Sequence, residues 1–152
     1  MAYKIYTDGS SNQGSKKESI RKGGWAYLIS DEKLNILYEY SESEANFPTN
    51  NQCEMLGVIN GIKKFKELNL NGDVEVSSDS AYVVNAFSDG WIDNWTKNGW
   101  KNALGEPVAN KEMWIELSSL VKENHVCIKK IKRRSDILSE RVDDLAKIKM
   151  RI

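Results

Sequence analysis

At Pro48 the hydrophobic rhythm of the chain changes period, and that change limits the folds open to it. Before Pro48, apolar and polar residues alternate. Tyr3-Lys4-Ile5-Tyr6-Thr7 comes first, then Gly24 to Ser30 with Trp25, Tyr27 and Ile29 set against Ala26 and Leu28, then Leu34 to Ser43. A period of two is that of strands whose successive side chains face opposite sides of a sheet. After Pro48, Met55, Val58, Ile59, Ile62 and Phe65 recur at helical spacing, which predicts a helix from Asn50 to about Leu68. Thr49 and Gln52, three apart at its start, have the form of a capping box.

The rest of the chain alternates between the two periods. Asp8-Gly9 is a turn signal ending the first strand, and a polar loop through Gly14 follows; Asp31-Glu32-Lys33 joins the second strand to the third. Asn71-Gly72 is a turn before a strand over Asp73 to Ser78, and Asp79-Ser80 caps a helix with Tyr82, Val83 and Phe87 on its apolar side. A Trp-rich stretch from Gly90 to Asn110 is punctuated by Gly99, Gly105 and Pro107. Met113, Trp114, Leu117, Leu120 and Val121 mark another helix, Val126 to Lys132 a last strand, and Val142, Leu145 and Ala146 a closing helix. Three strands followed by helix and strand in turn predict an α/β (α+β) domain with a mixed sheet. With no repeat or low-complexity stretch, residues 1–152 are expected to form a single domain.

Charge says little in bulk, since 22 Lys/Arg balance 22 Asp/Glu. Locally, nine Lys/Arg stand against four Asp/Glu between Asn124 and Ile152, and Lys16, Lys17, Arg21 and Lys22 form a second basic cluster. Basic patches around acidic groups fit nucleic-acid contact combined with metal binding, but charge alone favours a solvated surface. Cys53 and Cys127 lack metal-ligand spacing and are expected to be small apolar fillers in a reducing compartment. No secretory leader opens the sequence, and no apolar run approaches the roughly 20 residues that span a bilayer. A cytosolic protein with no membrane association is the expectation.

Four acids fall at telling places. Asp8 ends the first strand, Glu54 lies in the first turn of the long helix, Asp79 ends the fourth strand, and Asp143 lies in the first turns of the closing helix. Ligands collect beyond the ends of parallel strands, so Asp8 and Asp79 are candidates for one crevice. Each acid also has a purely structural explanation, as a turn residue, a cap or a complement to a helix dipole. Composition and spacing leave both readings open.

The residues around these acids resemble a known family. Tyr6-Thr7-Asp8-Gly9-Ser10, Thr49-Asn50-Asn51-Gln52-Cys53-Glu54, Ser77-Ser78-Asp79-Ser80-Ala81-Tyr82-Val83 and Ser139-Glu140-Arg141-Val142-Asp143-Asp144-Leu145-Ala146 are similar to the catalytic motifs of type 1 ribonuclease H, in the same order. Gly90-Trp91-Ile92-Asp93-Asn94-Trp95 through Asn98-Gly99-Trp100-Lys101 resembles the handle of the bacterial enzymes. The resemblance runs from Tyr3 to Ala146. It implies a ribonuclease H-like five-stranded mixed sheet flanked by helices, with Asp8, Glu54, Asp79 and Asp143 holding two Mg²⁺ ions, or Mn²⁺ in their place. The implied reaction is hydrolysis of the RNA strand of an RNA–DNA hybrid, leaving 5′-phosphate and 3′-hydroxyl ends, by a monomer with no obligatory protein partner. Gly9, Ser10 and Asn12 would lie along the hybrid, with Gly9, Ser10 and Glu54 sensing ribose 2′-hydroxyls. Thr49, Asn50 and Asn51 would hold a DNA phosphate and the minor groove, and Lys97, Trp100 and Lys101 would contact the DNA strand. Trp91, Trp95 and Trp114 are expected in the core.

The sequence also departs from the family pattern. The loop before the last helix, Lys132-Arg133-Arg134-Ser135-Asp136-Ile137-Leu138, lacks the histidine common in the family, and Arg134 takes its aligned position; the expectation is a competent enzyme with slowed turnover, or one in which Arg134 takes over substrate positioning. The single histidine, His125, is expected on the surface. The handle is thinly basic at Asn98, Gly105, Glu106 and Ala109, and Ala81 replaces a polar residue. Rival readings are a catalytically retired hybrid- or nucleic-acid-binding module on the same fold, a Holliday-junction resolvase, and a carboxylate-pair glycosidase. The retained acids argue against the first, the Thr49-Asn50-Asn51 segment and the handle against the second, and the basic flanks of the acid cluster against the third.

Overall fold

The computed structural model describes residues 2–12, 22–45 and 48–151, with backbone only at 151. The elements in order are β1 (Ala2–Ser11), β2 (Gly23–Asp31), β3 (Ile36–Glu44), α1 (Asn50–Glu67), β4 (Asp73–Ser78), α2 (Ala81–Ser88), α3 (Trp91–Asn98), α4 (Lys111–Glu123), β5 (Cys127–Lys130) and α5 (Ile137–Arg151). The strands form one mixed sheet in the order β3-β2-β1-β4-β5. The β1–β2 and β2–β3 pairs are antiparallel, whereas β1–β4 and β4–β5 are parallel. The α/β architecture expected from the change of period is therefore present. Lys16, Lys17 and Arg21 of the first basic cluster, with Gly14, lie outside the described residues.

Period two divides the sheet into two faces, and each face buries its own cluster. On one side Tyr3, Ile5, Trp25, Tyr27, Ile29, Val74 and Val76 pack against Met55, Val58, Ile59, Ile62 and Phe65 of α1. On the other, Tyr6, Ala26 and Leu28 meet Leu138, Val142 and Ala146 of α5. The capping box is formed, with the Gln52 N–H donating to Thr49 Oγ1 at 3.1 Å and the Thr49 N–H donating to Gln52 Oε1 at 3.0 Å. Two such bonds satisfy helix-end donors and fix where α1 begins.

Four sequence expectations need correction. β1 does not stop at Asp8. It continues to Ser11 because β2 pairs with it as far as Ser11↔Gly23, although its parallel partner β4 ends at Ser78. β3 begins at Ile36 rather than Leu34, since Leu34 is left-handed (φ 66°) and belongs to a turn whose Asp31 carboxylate accepts the N–H groups of Lys33 and Asn35. Cys53 is buried as expected, but Cys127 is exposed, because it opens the short edge strand β5. β5 is also shorter than the predicted Val126–Lys132.

Trp114 is fully buried, and Trp91 and Trp95 are half-buried against the same cluster. Ring centroids step from Trp91 to Trp95 at 6.1 Å, from Trp95 to Trp114 at 5.7 Å, and from Trp114 to Tyr82 at 5.2 Å. The handle helix α3 is thus tied to the core through aromatic contacts. His125 is exposed, as expected.

Candidate active site

The parallel register of β1 and β4 sets the site. Thr7↔Ser78 is their last pair, so Asp8 and Asp79 follow it side by side where the parallel pairing stops. Glu54 arrives from α1. A Cβ on Gly9 would overlap the backbone of Cys53 and Glu54, so only glycine lets β1 approach the start of the helix this closely. Carboxylate oxygens of Asp8, Glu54 and Asp79 lie within 4.8 Å of one another, the one such group of His, Cys, Asp and Glu side chains among the described residues. They line a cleft of about 270 Å³ together with Gly9, Ser10, Asn50, Asn51, Tyr82, Arg133 and Asp143.

Asp143 borders that cleft but stands outside the three-carboxylate group. Its side chain is only 4% exposed and receives Arg134 Nη1 at 2.7 Å, Lys147 Nζ at 3.0 Å and, more loosely, Arg133 Nη2 at 3.5 Å. Arg134 Nη1 also reaches Asp144 at 2.8 Å. Lys147 reaches Asp143 from one helical turn further along, a spacing that makes the two side chains neighbours.

Burial and crowding set the protonation of these acids. Burial, then a hydrogen bond to Asp143 and the charge of Asp79, pushes Asp8 up to about 8, against the Gly9 N–H that favours its ionised form. Glu54 is raised well above the ordinary range by burial and by the charges of Asp8 and Asp79. Burial also raises Asp79, although the charge of Arg133 opposes it. For Asp143 burial works against ionisation, but hydrogen bonds from Asp8, Arg134 and Lys147 outweigh it and hold the group below the usual carboxylate range. Like charges this close cannot all ionise without a counter-charge.

A divalent cation fits the group. The buried Glu54 Oε2 has no hydrogen-bond partner, an expensive condition for a carboxylate oxygen. Two further carboxylates offer oxygens within 4.8 Å, and an all-oxygen donor set suits a hard dication.

Of the residues expected along the substrate, Gly9, Ser10, Asn50 and Asn51 line the cleft. Thr49 is occupied as the helix cap, and the Asn50 side chain also accepts the Ser11 N–H at 2.6 Å. Asn12 accepts the Lys22 N–H at 2.7 Å, which closes the base of the loop between β1 and β2. Lys97 and Trp100 lie apart from the carboxylates, on a groove of about 600 Å³ between α3 and α4. Lys101 is exposed and bridges to Pro107.

Sequence reasoning missed Arg133, Lys147 and above all Asp136. The Ser139 N–H donates to Asp136 Oδ1 at 2.8 Å and the Asp136 N–H donates to Ser139 Oγ at 2.9 Å, a reciprocal cap at the start of α5. The Tyr6 hydroxyl donates to Asp136 Oδ2 at 2.8 Å. This joins the helix carrying Asp143 to the strand carrying Asp8. An acid three residues before Ser139 was the available signal. Burial of Asp136 disfavours its charge, but these hydrogen bonds win and lower its pKa. A lowered folded-state pKa means stabilisation that is present above about pH 4 and lost as pH falls below it. Asp136→Ala is expected to cost ~1–2 kcal/mol at neutral pH, with the deficit shrinking toward pH 3 in urea titrations. A deficit that stays constant with pH would contradict the charged cap.

A five-stranded mixed sheet with carboxylates where the pairing of two parallel strands stops places the molecule in the ribonuclease H-like class of folds. The family model described as RNase H matches residues 1–151. The Ribonuclease H of Syntrophomonas wolfei is 38% identical over 146 residues, covering 94% of this chain and 92% of that protein. The Ribonuclease H of Chlorobaculum parvum is 38% identical over 151 residues, covering 95% and 92%. Among solved structures, LC11-RNase H1 in complex with RNA/DNA hybrid superposes with a TM-score of 0.74 at 22% identity, covering 98% of this chain and 96% of that one. The chain belongs to the ribonuclease H family.

Proposed function

We propose that this protein is an endoribonuclease that hydrolyses the RNA strand of RNA–DNA hybrids, with residues 1–152 acting as one catalytic domain. The observation that carries the reading is the meeting of Asp8, Glu54 and Asp79 within 4.8 Å, together with the unpartnered buried oxygen of Glu54. The names of the relatives, the hybrid bound by LC11-RNase H1 and the family match support the substrate class. A retired binding module gains nothing from burying like charges that repel one another.

In this reading Asp8, Glu54, Asp79 and Asp143 hold two Mg²⁺ ions, with Mn²⁺ as substitute. The cations supply Lewis acidity to the attacked phosphate and to the leaving 3′ oxygen. The chain does the rest. The close approach of β1 to α1 at Gly9 fixes Glu54 against Asp8. Backbone at Gly9 and Ser10, with Glu54, faces the ribose 2′-hydroxyl, and Asn50 and Asn51 line the same cleft for the DNA strand. Thr49 as the cap of α1, and Asn12 by accepting the Lys22 N–H, hold that wall in place, while Lys97, Trp100 and Lys101 contact DNA phosphates without sequence preference. Products carry 5′-phosphate and 3′-hydroxyl ends. The enzyme acts as a monomer, without an obligatory protein partner, in the cytosol; among the described residues no helix is long and apolar enough to cross a membrane.

The reading is tested on the protein alone by thermal unfolding with and without Mg²⁺ or Mn²⁺. A bound cation stabilises the folded state by mass action. The melting temperature is expected to rise with metal concentration in the parent, and to stay flat in Asp79→Asn. An equal rise in both proteins would remove the carboxylate group from the account.

A further inference from the structure

We propose that Arg134 is an internal counter-ion of Asp143 in the metal-free protein, so that Asp143 takes part in binding a cation only when that cation displaces the guanidinium. The inference rests on the metal-site reading above. Its basis is the asymmetry of the site. Three carboxylates already offer oxygens within 4.8 Å of one another, whereas Asp143 shares a hydrogen bond with Asp8 but is also held by Arg134 and Lys147. The Asp143 end of the ion pair is 4% exposed and weakly screened, but Arg134 is 39% exposed and has solvent to move into. Arg134 also carries a left-handed backbone (φ 52°), which a residue other than glycine adopts at a cost. Its single nitrogen Nη1 satisfies both Asp143 and Asp144, so two carboxylates hold the side chain over the helix and offset that cost. A guanidinium is charged at every working pH, so this counter-ion is removed by displacement and not by deprotonation.

Cation loading is consequently staged. The group of Asp8, Glu54 and Asp79 fills first, and the step that recruits Asp143 needs more metal because it breaks an ion pair. Lys147 at 3.0 Å and the looser Arg133 at 3.5 Å stay beside Asp143 in both stages, and Arg134 is the positioning residue.

The experiment counts Mn²⁺ bound to the full chain without substrate, reading unbound Mn²⁺ from its aqueous electron paramagnetic resonance signal. The parent is expected to take up Mn²⁺ in two steps. Arg134→Gln should shift the second step to roughly fivefold lower Mn²⁺ and leave the first unchanged. Arg134→Lys should return it toward the parent value. Lys122→Gln, which removes the same charge from an exposed site on α4, should leave both steps in place. An unshifted second step in Arg134→Gln, an equal shift in Lys122→Gln, or single-step uptake in both parent and Arg134→Gln would overturn the proposal. Parent-like uptake by Asp79→Asn would instead overturn the metal-site reading on which it rests. Circular dichroism of each variant confirms that the fold is intact.

Discussion

Asp8→Asn is expected to lose hybrid cleavage by roughly a thousandfold while the metal-free protein keeps its fold and its affinity for hybrid. The substitution preserves volume and removes the charge that a dication needs. It should not destabilise the metal-free protein, because an amide donates to Asp143 where the protonated carboxyl of Asp8 does now and one member of a crowded set of acids is gone. The unfolding temperature without metal is therefore expected to match or exceed that of the parent. The rise on adding Mg²⁺ is expected to disappear. Steady-state cleavage and thermal melts on the same preparations check all three outcomes, and retained turnover in a well-folded Asp8→Asn protein would remove this residue from catalysis.

The second large effect is structural. Trp114→Ala removes a fully buried ring that lies 5.2 Å from Tyr82, 5.7 Å from Trp95 and 6.3 Å from Phe87. Its Nε1–H also donates to the Tyr82 hydroxyl at 3.1 Å. Truncating a buried tryptophan costs ~3–5 kcal/mol, which for a domain of this size corresponds to a melting temperature lower by roughly 10 °C or more. The loss should extend to function, since Tyr82 lines the catalytic cleft and Trp95 connects the handle helix to the core. Hybrid affinity measured well below the melting point is expected to fall in Trp114→Ala and to recover largely in Trp114→Phe. Melting within a degree or two of the parent would mean that the handle does not depend on this anchor.

The legible parts of the structure were those governed by local rules. Thr49 and Gln52 announced the start of α1, and Met55 to Phe65 announced its buried face, because capping and helical period are written within a few residues. The ends of β1 and β3 were less legible. Whether β1 continues past Asp8 depends on β2 still pairing with Gly9 to Ser11, and whether Leu34 is strand or turn depends on the Asp31 carboxylate gathering N–H groups around it. Both are decided by partners distant from, or different in kind from, the alternation that the sequence displays. Cys127 shows the same limit: its apolar character suggested burial, but edge position decided otherwise.

The candidate site divides in the same way. Position at strand and helix ends suggested Asp8, Glu54 and Asp79, and the resemblance of their surroundings made the suggestion specific. Nothing in spacing showed that Asp143 would be held by Arg134, or that Tyr6 and Asp136 would tie β1 to α5. The Arg134 contact depends on how the loop turns back onto α5, and the Tyr6–Asp136 bond joins residues 130 apart that meet only once the sheet has formed.

The most direct test of the central claim is cleavage of a labelled RNA–DNA hybrid in Mg²⁺ and in Mn²⁺, beside double-stranded RNA, double-stranded DNA and the Asp79→Asn variant. The expected result is internal cutting of the RNA strand in the hybrid alone, with 5′-phosphate and 3′-hydroxyl ends, absent in Asp79→Asn. Hybrid that binds but stays uncut with either metal would contradict the account and leave a binding module on a nuclease fold.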